Sequence, residues 1–153
     1  MRTIPVSTRE SIWEYPRIPI VEPVNRHIEV IHNNSCISDT RRALRVCENG
    51  HAPSYYLPPE DVRMELLEPS GFKTFCEWKG VASYFDLVVG SEYVPDAAWV
   101  YQEPSRGFEA IRDFISFYPA RVDACLLDGE IASPEPRSFY GGWITSDLEG
   151  PFR

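Results

Sequence analysis

A chain of 153 residues fits one domain, and at this size folding buries roughly 70% of the surface the unfolded chain exposes, so neither a disulfide framework nor a metal staple is required. The net charge of -8 opposes phosphate backbones and anionic lipid, and no apolar run approaches a membrane span or a secretory leader; the expectation is a cytoplasmic protein with neither nucleic acid nor membrane as partner. The 14 prolines and 9 glycines divide the chain into short elements and favour β structure, while Cys36, Cys47, Cys76 and Cys125 are spread thinly enough to read as reduced thiols.

In chain order, residues 1–22 mix Pro5, Pro16 and Pro19 with isolated apolar positions, which predicts extended chain, with an arm at residues 1–15 pinned by Trp13 and Tyr15 and a single domain at residues 16–153. Ile28 and Val30 alternate with His27 and Glu29 in a strand that ends at Asn33-Asn34, residues suited to a tight hairpin turn, and a return strand through Cys36-Ile37 follows. Asp39 or Thr40 is expected to cap a short helix with Ala43, Leu44 and Cys47 on one face and Arg41, Arg42 and Arg45 in water, stopped by Asn49-Gly50. Tyr55 and Tyr56 sit in an extended segment closed by Pro58-Pro59, and residues 61–67 read as a strand before a Pro69-Ser70-Gly71 turn.

Phe85, Leu87 and Val89 alternate with Tyr84 and Asp86, which places those two polar side chains on one surface. Gly90-Ser91 turns the chain into a strand on which Trp99 and Tyr101 share a face. A second helix is expected over residues 106–116, with Phe108, Ile111, Phe114 and Ile115 as its apolar stripe. Residues 122–127 suggest a strand buried on both faces, Asp128-Gly129 signals a hairpin, and the tail from Phe139 to Ile144 reads as a last strand. Together these give a mainly β (α+β) domain of antiparallel sheets with two short helices.

The chemistry concentrates in Cys76-Glu77-Trp78-Lys79-Gly80, followed closely by Tyr84. No two cysteines lie nearer than eleven positions, and His27 and His32 fall on opposite sides of one strand, so no metal site and no cofactor are expected. P-loop, dinucleotide and nucleophile-elbow patterns are absent, as is an Asp-x-Asp pair after Val89-Gly90-Ser91. A lysine near a thiol favours the thiolate, and a lysine among aromatics can exchange protons; alternatively Lys79 is a surface cation and Cys76 a small core residue.

The segments Asp39-Thr40-Arg41-Arg42-Ala43-Leu44, Tyr55-Tyr56-Leu57-Pro58-Pro59-Glu60-Asp61-Val62, Cys76 to Tyr84, Ala98-Trp99-Val100-Tyr101 and Phe117-Tyr118-Pro119 together resemble the DUF427 family, of unknown function, from about Pro16 to the C-terminus. The resemblance implies a compact, mostly β domain similar to the β-tent of Mss4-like and cereblon ligand-binding domains. The paired Cys-x-x-Cys zinc ligands of such relatives are missing, and the nucleotidyltransferase label sometimes given to the family finds no acidic pair in this chain.

Three functions fit these residues. The first is a metal-free enzyme acting on a small metabolite by acid-base chemistry (isomerase, lyase or hydrolase), with Lys79, Cys76, Tyr84 and Asp86 as catalytic candidates in an aromatic-lined cleft. The second is a non-catalytic small-molecule-binding module using Arg42, Tyr56, Trp78, Trp99, Tyr101 and Tyr118. The third is a scaffold with a groove for a partner peptide; the oligomeric state is left open.

Overall fold

The computed structural model of the chain describes residues 9–136 and 138–152, so the first eight residues of the expected arm lie outside the described residues. Glu10–Ser11 forms strand β1, and Ser11 accepts from the Trp13 N–H (3.3 Å) to cap one 3-10 turn at Ile12–Glu14 with Ile12 wholly buried. Asn49 donates to the carbonyls of Trp13 (2.7 Å) and Tyr15 (3.0 Å), and Arg45 forks onto Glu10 with two 2.9 Å bonds. Residues 10–15 are thus fastened to the body by charge-assisted bonds and one buried apolar side chain.

Four strands follow: β2 (Ile20–Val24), β3 (Ile28–His32), β4 (Ser35–Thr40) and β5 (Ala43–Cys47). Asn33 and Asn34 join β3 to β4 with φ of 47° and 60°, the left-handed pair that a two-residue hairpin requires. The helix expected around Ala43 is instead β5, which pairs with β2 over five rungs. So few residues cannot offset the cost of helix nucleation, whereas a strand gains a ladder on each side, the other being β6 (Ser54–Tyr56). Residues 59–66 form two 3-10 turns, Pro59–Asp61 and Met64–Leu66, in place of most of the expected strand.

The largest sheet contains β7 (Leu67–Cys76), β8 (Gly80–Val89) and β9 (Glu92–Val100), completed by β10 (Ile115–Phe117) in the order β10-β9-β8-β7. Pro69-Ser70-Gly71, expected as a turn, lies within β7 where the register with β8 jumps between Pro69 and Lys73. A second irregularity separates the Phe85–Ala98 and Leu87–Val94 rungs, where Asp96 has φ of 48°. The extra residues of both bulges belong to β7 and β9, so β8 runs evenly between two bent neighbours.

The helix expected over residues 106–116 is replaced by a tighter turn. Phe108, Ile111 and Phe114 recur every third position, and their N–H groups donate to the carbonyls of Ser105, Phe108 and Ile111. That is the 3-10 pattern, with Glu109–Ile111 as its regular part and Gly107 (φ 97°) and Asp113 (φ 63°) at either side. Phe108, Ile111 and Ile115 are buried as expected, but Ile115 belongs to β10 and exchanges two 2.8 Å backbone bonds with Leu57.

The remaining strands are β11 (Ala124–Leu127), β12 (Glu130–Ile131), β13 (Ser133–Pro134), β14 (Trp143–Ile144) and β15 (Leu148–Glu149). β11 lies between β12 and β3 yet is buried on one face only, since Cys125 and Leu127 point inward while Ala124 and Leu126 are half-buried. Asp128-Gly129 makes the expected hairpin (φ 50° and 82°), and β15 pairs in parallel with β1. The domain is mostly β, with antiparallel sheets and short 3-10 turns as its helical content. No helix among the described residues is long and apolar enough to cross a membrane.

Side chains between the sheets form two main cores. One is largely aliphatic, around Ile28, Val30, Ile37, Leu57, Leu87, Ile115 and Leu127; the other is built on Tyr56, Tyr84, Trp99, Tyr101 and Tyr118. β8 serves both, Ala82 and Tyr84 in the aromatic core and Leu87 and Val89 in the aliphatic one.

Candidate functional site

Glu77-Trp78-Lys79 is the loop of the β7–β8 hairpin. Gly80 closes it at φ 105°, where an added Cβ would stand 3.1 Å from the Ser105 Oγ, and the Lys79 carbonyl accepts from the Ser105 N–H at 2.9 Å. A loop held from both sides carries its side chains at fixed positions. Across the hairpin register Tyr84 faces Trp99, so the rings of β8 and β9 meet.

These side chains line a cleft of about 290 Å³, small for a ligand pocket and suited to a compact molecule. Cys76, Trp78, Lys79, Tyr84, Trp99, Tyr101 and Tyr118, all singled out from the sequence, are among its lining residues. Tyr56 lies behind them, wholly buried, and its hydroxyl accepts from the Trp99 Nε1 at 3.4 Å. Trp99 packs on Tyr118 at 4.5 Å between ring centres, and the Arg121 guanidinium covers the Tyr118 ring at 4.3 Å. Rings held in this way have little freedom to collapse into the cleft.

Two candidates stand elsewhere. Arg42 lies in the β4–β5 turn and forks onto Asp61 (2.9 and 3.2 Å), with 64% of its side chain exposed, away from the cleft lining. Asp86 shares the β8 face of Tyr84, but its carboxylate accepts from the Asp96 N–H (2.8 Å) and the Tyr93 hydroxyl. It ties down the β9 bulge and does not line the cleft. Other lining residues carry no signal of their own in the sequence: Thr74, Phe75, Phe139 and Tyr140. Gly141 allows the last two to reach the site, since a Cβ there would sit 2.2 Å from Trp99 Cη2.

The hydroxyl groups of the cleft form a directed chain. The Phe139 carbonyl can only accept, so Tyr118 donates to it (3.1 Å), Tyr84 donates to Tyr118 (3.1 Å), and Thr74 donates to Tyr84 (3.1 Å). Burial, then the bond with Tyr84, pushes Tyr118 far above the ordinary tyrosine value. Burial does the same for Tyr101. Both remain phenols at neutral pH.

Lys79 is held above the ordinary lysine value. Burial alone would lower it, but the Tyr56 oxygen, Cys76 and Glu48 act in the opposite direction and prevail. Its ammonium lies 5.8 Å from the centre of the Tyr101 ring, within cation–π range. Among the described residues that line the cleft, Lys79 is the one cation. Glu48 and Glu77 also border the open groove on the far side of Trp78, which puts them at the rim. The site therefore offers aromatic walls with a positive charge among them, while the protons of its hydroxyl chain are committed within the chain.

Strand pairing gathers one further group. Asp39 lies directly opposite Glu29, and His27 bridges them with Nε2 2.7 Å from Asp39 and Nδ1 3.7 Å from Glu29. These are the described side chains whose donor atoms lie close enough together to hold an ion, a juxtaposition that spacing along the chain does not reveal. His32 is buried on the other face between Glu92 and Asp123.

A family model described as "Domain of unknown function (DUF427)" matches residues 20–128, more than half of the chain and all of the β7–β8–β9 wall. No curated protein matches the chain.

Proposed function

Because the chain belongs to the DUF427 family, whose function is unknown, we propose a function from the site itself: the cleft binds a small planar molecule bearing an anionic group. The observation that carries this is the Lys79 ammonium, kept charged and aimed among the aromatic rings. Stacking surfaces at Trp99, Tyr101 and Tyr118 suit a flat ligand, and a cation beside them selects for a carboxylate or comparable anion. Phe139, Tyr140 and Phe75, all well exposed, form an apolar lip through which such a molecule can enter.

The charge held on Lys79 also bears on catalysis. A lysine that stays protonated acts as a donor to an oxyanion, not as a resting base or amine nucleophile. Acid-base chemistry on a small metabolite would therefore take its base from a group other than Lys79.

The test uses benzoate, phenylpyruvate and indole-3-acetate against their neutral amides, read by melting temperature and tryptophan fluorescence. The anions are expected to raise the melting temperature, since a ligand that binds only the native state stabilises it. Lys79→Met, which keeps the apolar stem, is expected to weaken binding about tenfold or more with little change in the ligand-free melting temperature. No binding up to millimolar concentration, or equal binding of the amides, overturns the reading.

A further inference from the structure

The β3–β4 hairpin begins in the register of its two-residue turn, with His32 opposite Ser35 and Ile31 opposite Cys36. Continued unchanged, that register would place Ser38 opposite Glu29. The bulge between the Ile31–Cys36 and Val30–Ser38 rungs leaves Ile37 as the extra residue, so Asp39 takes the place facing Glu29 and both carboxylates emerge on the outer face of the sheet. A bulge is a common means of re-aiming a side chain at a functional site. Like charges directly opposite each other cost stability unless a cation stands between them.

His27 meets this pair with both ring nitrogens. A carboxylate can only accept, so the 2.7 Å contact between Nε2 and Asp39 is a bond donated by the ring. In the neutral ring Nδ1 then carries the lone pair, 3.7 Å from a Glu29 oxygen, and among the described residues no N–H group donates to it. His32 shows the difference. It too stands between carboxylates, Glu92 and Asp123, but its Nδ1 accepts from the Asp123 N–H at 3.1 Å while Nε2 meets Glu92 at 3.0 Å, which satisfies a neutral ring. At His27 a lone pair faces a carboxylate, and the gap between them calls for a cation.

The gap has the right width. A first-row divalent ion binds imidazole nitrogen and carboxylate oxygen at about 2.0–2.2 Å, so two ligands of one ion stand about 3–4 Å apart, as Nδ1 and Glu29 do. An Nε2–H held by a carboxylate is also what fixes the tautomer of metal-bound histidines. His27 and Glu29 are half-buried and Asp39 is exposed, so an ion can enter from solvent.

We propose that His27 and Glu29, with Asp39 orienting the ring and adding its charge, form a binding site for a divalent cation of the zinc class on the outer face of this sheet. The site is independent of the cleft, which none of the three residues lines. The imidazole nitrogen selects zinc, nickel and cobalt over magnesium and calcium, which prefer oxygen alone. Cys36 shares the outer face through the same bulge, but its thiol donates to the Ser38 carbonyl at 3.3 Å and is not one of the ligands. Water completes the coordination.

The test titrates chelator-treated protein without a histidine tag with zinc, nickel or cobalt chloride, read by calorimetry and melting temperature, with magnesium and calcium as controls. One zinc ion per chain at micromolar affinity is expected, with a raised melting temperature because the ion binds the native state. His27→Gln is expected to weaken binding roughly 100-fold, and Glu29→Gln about tenfold or more. The cobalt complex is expected to lack the intense near-ultraviolet band of a thiolate ligand. In the wild-type protein, which needs no variant to fold, cobalt should broaden the amide NMR signals of residues 27–29 and 38–40 first. Zinc affinity no better than millimolar would mean that a second proton on His27 fills the gap and would overturn the proposal. Unchanged affinity in folded His27→Gln, a thiolate band, or broadening centred on His32 or His51 would overturn it equally.

Discussion

The two cores are comparably dry but are built from different side chains. In the aliphatic core Ile28, Ile37, Leu57, Leu87 and Leu127 are wholly buried and bring no polar atoms with them. In the aromatic core Tyr56, Tyr84, Trp99, Tyr101 and Tyr118 are at most 5% exposed, yet each has a polar tip, and those of Tyr84 and Tyr118 enter the hydroxyl chain that runs past the cleft. An interior built only for stability has no use for so many hydroxyls, because each one buried needs a partner. The aliphatic core holds the sheets together, and the aromatic core turns burial into a rigid wall for the cleft.

The comparison is tested most severely by removing volume from the aliphatic side. Leu87→Ala is expected to cost about 3 kcal/mol through lost burial and the cavity left behind, read as a lower denaturation midpoint, with affinity for a cleft ligand unchanged in the folded protein. A large loss of affinity would show that the two cores are not separable. Gly141→Ala comes next: the added methyl runs into Trp99 at a left-handed φ of 67°, and a cost of about 2 kcal/mol is expected by the same measurement, now with weakened binding because Phe139 and Tyr140 must move. Normal affinity in this variant would remove that segment from the site. Tyr118→Phe sharpens the contrast with the smallest change. It leaves the Phe139 carbonyl and the Tyr84 hydroxyl each short of a partner, for about 1 kcal/mol, and is expected to lower affinity for a carboxylate probe more than Leu87→Ala does.

What could be read from the sequence was whatever local chemistry decides. Asn33-Asn34 and Asp128-Gly129 make hairpins, and Gly90 opens a third, because left-handed backbone comes readily to asparagine, aspartate and glycine. Tyr84, Trp99 and Tyr101 were legible as one surface because period two and a short turn leave few ways to pair β8 with β9. Asp86 shows the limit of the same rule. Its face was right, but its role is set by a bulge in the neighbouring strand, which nothing in the sequence of β8 discloses.

The expected helices failed for a related reason. Phe108, Ile111 and Phe114 are spaced by threes, and that spacing suits a 3-10 turn as well as an α-helical stripe; Gly107 and Asp113 leave no room for the longer form. The stripe around Ala43 was too short to stand against pairing with β2 and β6. Glu29 and Asp39 stand opposite each other because Ile37 is bulged out of the β3–β4 pairing, a step that the Asn33-Asn34 turn does not foretell. Only the folded register brings such residues together.

β8 passes evenly between two bulged neighbours and gives its first half to one core and its second to the other. Neither core can open without releasing a ladder of that strand, so the amide protons of Ala82 to Val89 should be the slowest in the molecule to exchange, at rates set by unfolding of the whole domain. A molecule seated against Tyr84 would then slow exchange at Leu87 and Val89 as well, so occupancy of the cleft would register in the aliphatic interior that it never touches.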